Sequence, residues 1–490
     1  MFNLMYIFWV GSLCVFLCFP AFLMAQKKGT KNVQLKEHIM HSLDGKFDQL
    51  KQAEQAIWTY SEVGYKEKES SALLQGMLEE EGFQIEASVA GIPTAFVATY
   101  GTGKPVIGIL AEYDALPGLS QDSLPIKKEV AGRLAGHGCG HNLFGVASVA
   151  SGIELKKLIE SKQIQGTVKV YGCPAEEGGS GKVYMVREGL FDGVDAVLHW
   201  HPSSQNSASA SSSLANISAK FRFKGLASHA AGAPDKGRSA LDGVEAMNNM
   251  VNMMREHIPS ATRIHYIITD GGKAPNVVPD FAEVYYYVRH VDPKIVRSVF
   301  ERVVNAAKGA SLGTDTQVDY EIIGGVYNVL ANVPLAKRMY DNLQQVGGVS
   351  YDASELAFAE QIQTSFTHEY PEINTAGTIQ PFAITLNDAT GGSTDVADVS
   401  WVVPTVGLAA ATWVPGTPAH SWQAVAASGM NIGAKGMMVA AKTMAMMGID
   451  LFADSDLREA ARAELEKMRG PDFQYVPLLG ERAPALNYRD

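Results

Sequence analysis

The order of strands and helices along the chain changes twice, and this change constrains the fold more than any other feature. Apolar strand segments alternate at first with helical segments. The predicted strands lie at residues 95–100, 106–111, 167–172 and 195–200, and the predicted helices lie at residues 35–60, 69–81 and 143–161. Strands that alternate with helices indicate a mostly parallel sheet covered on both faces. The first part of the chain is therefore predicted to form an α/β domain.

A different order follows residues 203–213, where Ser, Asn, Gln and Ala replace the periodic pattern and indicate a linker. The next segments are strand, helix, strand, strand, helix and strand, at residues 217–223, 239–257, 264–269, 282–288, 293–310 and 317–323. This split βαβ order predicts a small open sheet with helices on one face. After about residue 332 the first pattern resumes, and it includes a long helix at residues 424–447.

The sequence thus predicts that one domain is inserted into another. The α/β domain comprises residues 33–205 and 333–450, and the inserted, ferredoxin-like domain comprises residues 214–330. Residues 451–490 form a C-terminal tail, of which the part from residue 470, rich in Pro and charge, gives no functional signal. With 490 residues and 46% hydrophobic content, the chain is long enough to fill two cores.

The charge of the chain argues against nucleic acid as a partner. The formal net charge is −11, and no cluster of Lys and Arg is interleaved with aromatic residues. A nucleic-acid surface needs such a basic patch. We therefore expect no nucleic-acid partner.

Residues 1–25 are almost wholly apolar and precede a polar segment that begins at Gln26. This pattern predicts a signal peptide, and hence a secreted or periplasmic protein, although an uncleaved membrane anchor is the alternative. Two of the four cysteines, Cys14 and Cys18, lie in this leader, so the mature chain keeps only Cys139 and Cys173. A disulfide framework is therefore not expected, and a thiol kept in an exported protein suggests protection, for example by a metal ion.

The strongest local signal for chemistry is the segment at residues 136–142, Gly-His-Gly-Cys-Gly-His-Asn. Cys139 and His141 are metal ligands two residues apart, and the glycines let the backbone fold tightly around an ion. The alternative is a buried cysteine beside a histidine that caps a helix.

Further candidate ligands follow the predicted strands. Glu176 and Glu177 come after one strand, and adjacent carboxylates in a dry interior need a cation to offset their charge. In a metal site one glutamate coordinates and the other moves a proton, whereas the alternative is a solvated acidic turn. A histidine at 199 or 201 ends another strand, and His420 lies near the C-terminal part of the domain. Carboxyl ends of parallel strands converge, so a shared site is predicted.

Two more residues are candidates with weaker signals. Asp114, after a buried strand, can orient a ligand histidine, or it can simply open the turn before Leu116 and Pro117. His229 lies just beyond a strand of the inserted domain and can stabilise an oxyanion, but on the residues alone it is only a surface histidine.

Together these motifs resemble those of the M20 family of metallopeptidases and amidohydrolases, from about residue 35 to residue 447. The motifs that carry the resemblance lie at residues 137–141, 172–179, 200–202, 237–242, 393–398 and 416–422. The resemblance implies hydrolysis of an amide bond next to a free carboxylate. Its substrates include N-aroyl glutamates such as p-aminobenzoyl-glutamate, N-acyl amino acids and dipeptides. A non-catalytic subunit that only takes up such a substrate is the alternative.

The resemblance also implies a site with two divalent metal ions, zinc or manganese. The implied ligands are Cys139, His141, Glu177, His201 and His420, with His199 as the alternative to His201. Glu176 is implied as the general base and later proton donor. Much of the family has a histidine where this chain has Glu112, so that ligand is missing and Cys139 is expected to take its role.

The inserted domain is implied to be a lid and a dimerisation module. His229 is then expected to reach into the active site of the partner subunit of a homodimer, and a related second subunit is a further possible partner. Asn276, Gly392 and Ser393 fall where members of the family hold the substrate carboxylate or line the cleft.

Overall fold

The computed structural model describes residues 31–386 and 391–489, so the predicted leader at residues 1–25 lies outside the described residues. Residues 31–44 are helical and are labelled α1. The other helices are α2 (Phe47–Tyr60), α3 (Lys68–Glu80), α4 (His141–Glu160), α5 (Gly181–Arg187), α6 (Ala240–Met254), α7 (Pro293–Gly313), α8 (Val333–Val346), α9 (Ala353–Gln363), α10 (Val396–Val402), α11 (Trp422–Ser428), α12 (Asn431–Ala453) and α13 (Ser455–Arg469). The strands are β1 (Gln84–Ala87), β2 (Phe96–Gly101), β3 (Val106–Glu112), β4 (Leu116–Pro117), β5 (Ala135–Gly136), β6 (Thr167–Cys173), β7 (Ala196–Ser203), β8 (Ala210–Ser211), β9 (Ala215–Lys224), β10 (Arg263–Asp270), β11 (Phe281–His290), β12 (Gln317–Val326), β13 (Ile384–Thr385) and β14 (Thr405–Ala411).

The central sheet has six strands in the order β1-β2-β6-β3-β7-β14. The four strands from β6 to β14 are parallel, and β1 and β2 are antiparallel additions at one edge. Strand β3 is apolar and nearly continuously buried, as expected for a strand covered on both faces. Because β14 pairs with β7, the two separate parts of the chain complete one sheet.

The inserted domain has a four-stranded antiparallel sheet in the order β10-β11-β9-β12. Apolar residues of its strands, such as Phe221 and Val284, form one core with Val244 of α6 and Val303 of α7. This core is the packing expected of a split βαβ arrangement with its helices on one face. The predicted fold class, a mostly parallel α/β domain with a ferredoxin-like insertion, is confirmed, while the predicted boundaries stay predictions.

Helix α12 is the one helix among residues 31–386 and 391–489 that is long and apolar enough to cross a membrane by length and composition. In its most apolar 18-residue stretch 89% of the residues are buried, and Met437 and Met444 pack with Leu198 and Leu408 of the central sheet. Its apolar character is therefore that of a core helix.

Two predicted helices are each divided in the structure. The segment at residues 35–60 is interrupted by a turn at residues 45–46, and the segment at residues 424–447 is divided between α11 and α12. At the second break the chain passes close to the ring of Trp58, because a Cβ on Gly429 would lie 2.6 Å from it. Tertiary contact therefore overrides the continuous helical pattern there.

Two regions without a periodic pattern are more ordered than predicted. The supposed linker at residues 203–213 contains β8, and buried Asn206 donates a hydrogen bond to the carbonyl of Ala376 at 2.7 Å. The predicted tail at residues 451–490 contains the end of α12 and all of α13, and it then continues across both domains. Neither region is a free connection, because polar groups of each are bound to distant parts of the chain.

Candidate metal centre

The parallel strands bring most of the predicted residues to one edge of the central sheet. Asp114 follows β3, and Glu176 and Glu177 follow β6. His201 lies on β7, and His420 lies in the loop between β14 and α11. The predicted convergence at the carboxyl ends of the strands is thus what the structure shows.

Cys139 lies at the centre of this group, directly before helix α4. Its Sγ belongs to two sets of potential ligands, one with His141 and His201 and the other with Glu177 and His420. In each set the ligand atoms lie within 4.8 Å of one another. Sγ is 3.3 Å from Nε2 of His201, and Nε2 of His420 is 3.3 Å from Oε1 of Glu177. One sulfur can therefore be shared between two neighbouring cations.

The donors fit divalent metal ions. Nε2 of His141 is buried and makes no hydrogen bond, and it lies 3.2 Å from a carboxylate oxygen of Glu112. Burial raises the pKa of the Cys139 thiol, so a bound cation is needed to make it a thiolate. Sulfur and imidazole favour zinc, whereas carboxylates also suit manganese.

Asp114 holds two of these ligands at once. Its Oδ1 lies 2.9 Å from Nδ1 of His141, and its Oδ2 accepts a hydrogen bond of 2.9 Å from the backbone N–H of Glu177. A neutral imidazole that donates from Nδ1 to this carboxylate has its lone pair on Nε2, where it can bind a metal ion. These contacts are the ones expected of a residue that orients metal ligands, and this role of Asp114 stays a prediction.

Glu176 lies beside the ligand cluster, within 4.8 Å of His141 and Glu112 when one ligand atom of each is considered. Loss of solvation raises the pKa of Glu176 well above its usual range, and the negative charges of Glu112 and Glu177 raise it further. The backbone before it is strained, because Ala175 has a φ of 57°. The buried carboxylate of Glu67 accepts a hydrogen bond of 2.8 Å from Ala175 N–H and holds this turn.

Lys182, at the start of α5, is a residue that sequence reasoning missed. It is fully buried, and its Nζ lies 2.7 Å from Glu112 and 2.7 Å from Asp395. Although burial lowers its pKa, the carboxylates of Asp395 and Glu112 outweigh this effect and raise the pKa well above its usual range. The chain thus supplies its own cation to Glu112. The available signal was a lysine three residues after Gly179, directly beyond the glutamate pair.

The two histidines of β7 have different neighbours. His201 lies against Cys139, whereas His199 packs over Gly407, where a Cβ would lie 2.3 Å from its ring. Within the described residues, His199 is in none of the three candidate ligand groups. The structure thus brings His201 into the cluster.

The residues predicted in or near the cleft lie in two other places. His229 and Asn276 are in neighbouring loops of the inserted domain, where Ala230 N–H donates to the carbonyl of Asn276 at 3.0 Å. His229 is exposed, and Nδ1 of its ring accepts hydrogen bonds from the nearby backbone of Ala231 and Gly232. The described contacts of His229 stay within the inserted domain.

Gly392 and Ser393 lie in the α/β domain between β13 and α10, and Leu214 N–H, at the entry to the inserted domain, donates to the carbonyl of Gly392 at 2.9 Å. They lie three and two residues before Asp395, the second partner of Lys182. The substrate-binding roles predicted for these two residues stay predictions.

A family profile for a peptidase dimerisation domain matches residues 215–314. One subunit of p-aminobenzoyl-glutamate hydrolase from Escherichia coli (strain K12) is 41% identical over 447 residues, which cover 86% of this chain and 93% of that protein. The chain belongs to the M20 family. The M20 chain is also similar to Xaa-Arg dipeptidase from Mus musculus, at 29% identity over 88% of this chain and 92% of that protein.

Two solved structures share the fold of this M20 chain, each at 18% identity. An aminobenzoyl-glutamate utilization protein from Klebsiella pneumoniae has a TM-score of 0.59 and covers 84% of this chain and 97% of its own. A dinuclear metal-binding M20 peptidase from Bacillus subtilis has a TM-score of 0.55 and covers 84% of this chain and 99% of its own. The predicted family and enzyme class are confirmed: this M20 chain is a metal-dependent hydrolase of amide bonds.

Proposed function

We propose that the chain cleaves an amide bond next to a free carboxylate, with p-aminobenzoyl-glutamate or a related N-acyl amino acid as substrate. The observation that carries this proposal is the sharing of Cys139 between two ligand sets beside Glu176. Two zinc or two manganese ions fit these donors. The E. coli relative is named for p-aminobenzoyl-glutamate, which supports this choice of substrate.

Each residue of the proposed site has its own role in hydrolysis. When bound, two divalent cations polarise the amide carbonyl and make water a stronger acid. Glu176 takes the proton from the attacking water and passes it to the leaving nitrogen. His229, provided by the inserted domain of a partner subunit, donates a hydrogen bond to the oxyanion of the tetrahedral intermediate. Asn276, Gly392 and Ser393 bind the substrate carboxylate or line the cleft.

The first experiment measures glutamate release from p-aminobenzoyl-glutamate by the chain from Gln26 onward, loaded with zinc or with manganese. Glu176→Gln is the matched control, because it keeps the size of the side chain and removes the base. Release that a chelator stops and that Glu176→Gln lacks supports the proposal. A metal-loaded chain that releases no glutamate contradicts this choice of substrate.

Two alternatives are tested in the same assay. A dipeptidase of the same family cleaves dipeptides and leaves p-aminobenzoyl-glutamate intact, and the similarity to Xaa-Arg dipeptidase favours including Xaa-Arg substrates. A non-catalytic subunit takes up p-aminobenzoyl-glutamate but hydrolyses neither substrate unless a related second subunit is added. Isothermal titration with Glu176→Gln protein separates binding from turnover.

The chain is proposed to act as a homodimer through its inserted domain. The match of residues 215–314 to a dimerisation domain supports this proposal. Strand β10 is an edge of its sheet, and Ile267 and Ile268 on that strand are 62% and 43% exposed. Exposed apolar residues on an unpaired edge strand favour pairing with another chain. Light scattering that gives a monomer mass for the purified chain contradicts this proposal.

The location of the protein is proposed to be secreted or periplasmic, on the apolar leader at residues 1–25. Mass spectrometry of the protein from its native host gives the N-terminus directly. A mature chain that begins at Gln26 agrees with export, whereas an intact leader in the membrane fraction indicates an anchor.

A further inference from the structure

The segment that follows α13 crosses the inserted domain before it returns to the metal centre. The carbonyl of Val476 accepts hydrogen bonds from Arg297 at 3.0 Å and from the Tyr327 hydroxyl at 2.8 Å. Arg482 then pairs with Glu321 of β12 at 3.0 Å. These contacts fix the path of the segment on the inserted domain, so its last described residues do not form a loose end.

The last described residues reach Glu177. The hydroxyl of Tyr488 donates to the carbonyl oxygen of Glu177 at 3.1 Å, and Nη2 of Arg489 donates to the same oxygen at 2.5 Å. The Tyr488 ring makes an edge contact with Tyr65, with 5.5 Å between ring centroids. A Cβ on Gly64 would lie 2.2 Å from the Tyr488 hydroxyl, so the hydroxyl fits closely against the backbone there.

The polar groups of Glu177 face different parts of the chain. Its N–H donates to Asp114, its carbonyl accepts from the C-terminal segment, and its carboxylate lies 3.3 Å from His420. The peptide sits in a tight turn, because Gly178, the next residue, has a φ of 93°. The two donors hold the carbonyl in place, and they thereby fix the backbone that carries the Glu177 side chain.

We propose that Tyr488 and Arg489 are positioning residues for the Glu177 ligand, so that the C-terminal segment sets the metal affinity of the centre. This inference rests on the proposed function only in taking Glu177 as a metal ligand. Groups that orient a ligand from behind typically change metal affinity by about 10-fold to 100-fold when they are removed. Here the contact is to the ligand's backbone, so the lower end of that range, about 10-fold, is expected.

The test compares zinc affinity, measured by competition with a chromophoric chelator, for the wild-type chain and a Tyr488→Phe/Arg489→Met double variant. The variant keeps the ring and the aliphatic stem and removes both donors. Asn487→Ala is the matched control, because Asn487 is exposed in the same segment. Affinity should fall about 10-fold in the double variant, stay unchanged in the control and recover partly in Tyr488→Phe/Arg489→Lys. The thermal unfolding midpoint of the metal-free protein should not change.

A double variant that binds zinc as tightly as the wild type overturns the inference. A fall in affinity that the Lys variant does not recover, together with a lower unfolding midpoint, overturns it as well, because it indicates a merely structural role. Glu177→Ala separates the two proposals. If its zinc affinity equals that of the wild type, the proposed metal centre is wrong; if only the double variant keeps wild-type affinity, the role of the C-terminal segment alone is wrong.

Discussion

Asp114 and His141 are in direct contact beside the candidate metal centre, with Oδ1 of the carboxylate 2.9 Å from Nδ1 of the imidazole. Both side chains are buried, and the second carboxylate oxygen binds the backbone of Glu177. One side chain thus contacts two predicted ligands, one on helix α4 and one in the loop after β6. We therefore expect a change at Asp114 to alter the metal affinity of the centre, although Asp114 is not itself a predicted ligand.

Replacing Asp114 with Asn should weaken zinc binding by about 10-fold to 100-fold. The amide has one acceptor oxygen, so it can serve either His141 or the N–H of Glu177, and its NH₂ group opposes the other donor. Chelator competition measures the affinity, and Asp192→Asn, at an exposed position, is the control. Unchanged affinity in Asp114→Asn would show that Asp114 does not orient the ligands.

Replacing Lys182 with Met should lower the free energy of unfolding by about 3 to 5 kcal/mol, because two buried carboxylates lose their cation. Urea unfolding of the metal-free protein measures this loss. The matched control is Lys104→Met, which breaks an exposed pair with Asp195 at 3.1 Å and should cost less than about 1 kcal/mol.

Adding Glu112→Gln to Lys182→Met should recover part of the lost stability, because one of the two uncompensated charges is gone. Equal losses for the double variant and for Lys182→Met alone would argue against direct coupling of Lys182 with Glu112.

Asp398 should make the protein less stable as the pH rises. Burial raises its pKa from the usual 3.8 to about 8, and its carboxyl group is bound to Tyr475 and to the N–H of Tyr327. Between these two pH values the folded chain holds a proton that the unfolded chain has released. The stabilisation is therefore complete below about pH 4 and is lost progressively as the pH rises through about 8.

Asp398→Asn should abolish this pH dependence, because the amide keeps the shape and the Tyr475 hydroxyl can accept as well as donate. Urea unfolding at pH 5 and at pH 8 gives the comparison. The wild type should lose roughly 2 to 4 kcal/mol more than the variant over this interval. Parallel stability curves for the two proteins would contradict the raised pKa.

Mixing two inactive variants should restore activity if His229 acts across a dimer. Glu176→Gln lacks the base and His229→Ala lacks the lid histidine, but a mixed dimer contains one site with both groups. Random reassociation of equal amounts should give roughly a quarter of the wild-type activity. The control mixes Glu176→Gln with a Glu176→Gln/His229→Ala double variant, in which no complete site can form. No recovery in the first mixture would place the two residues in one subunit or exclude a role for His229.

Several features of the protein follow from the sequence alone. The alternation of strands with helices and its interruption predict the mostly parallel sheet and the inserted domain, because local periodicity reports which face of an element is buried. The sequence also indicates which residues are candidate metal ligands, since Cys139 and His141 lie two residues apart and Glu176 and Glu177 follow a strand end. These signals are local, so a sequence contains them in full.

Other features depend on pairs of residues that are distant in the chain, and only the tertiary structure decided them. His420 reaches Glu177 because β14 pairs with β7, and no pattern within either segment predicts this. The same holds for Lys182, whose charge is acceptable in the core only because Glu112 and Asp395 meet there. The C-terminal segment has no periodic pattern, and only the structure shows that two of its side chains donate hydrogen bonds to the carbonyl of Glu177. Periodicity indicates which face of each helix or strand is buried. The charge balance and geometry of a buried site arise only when those faces pack together.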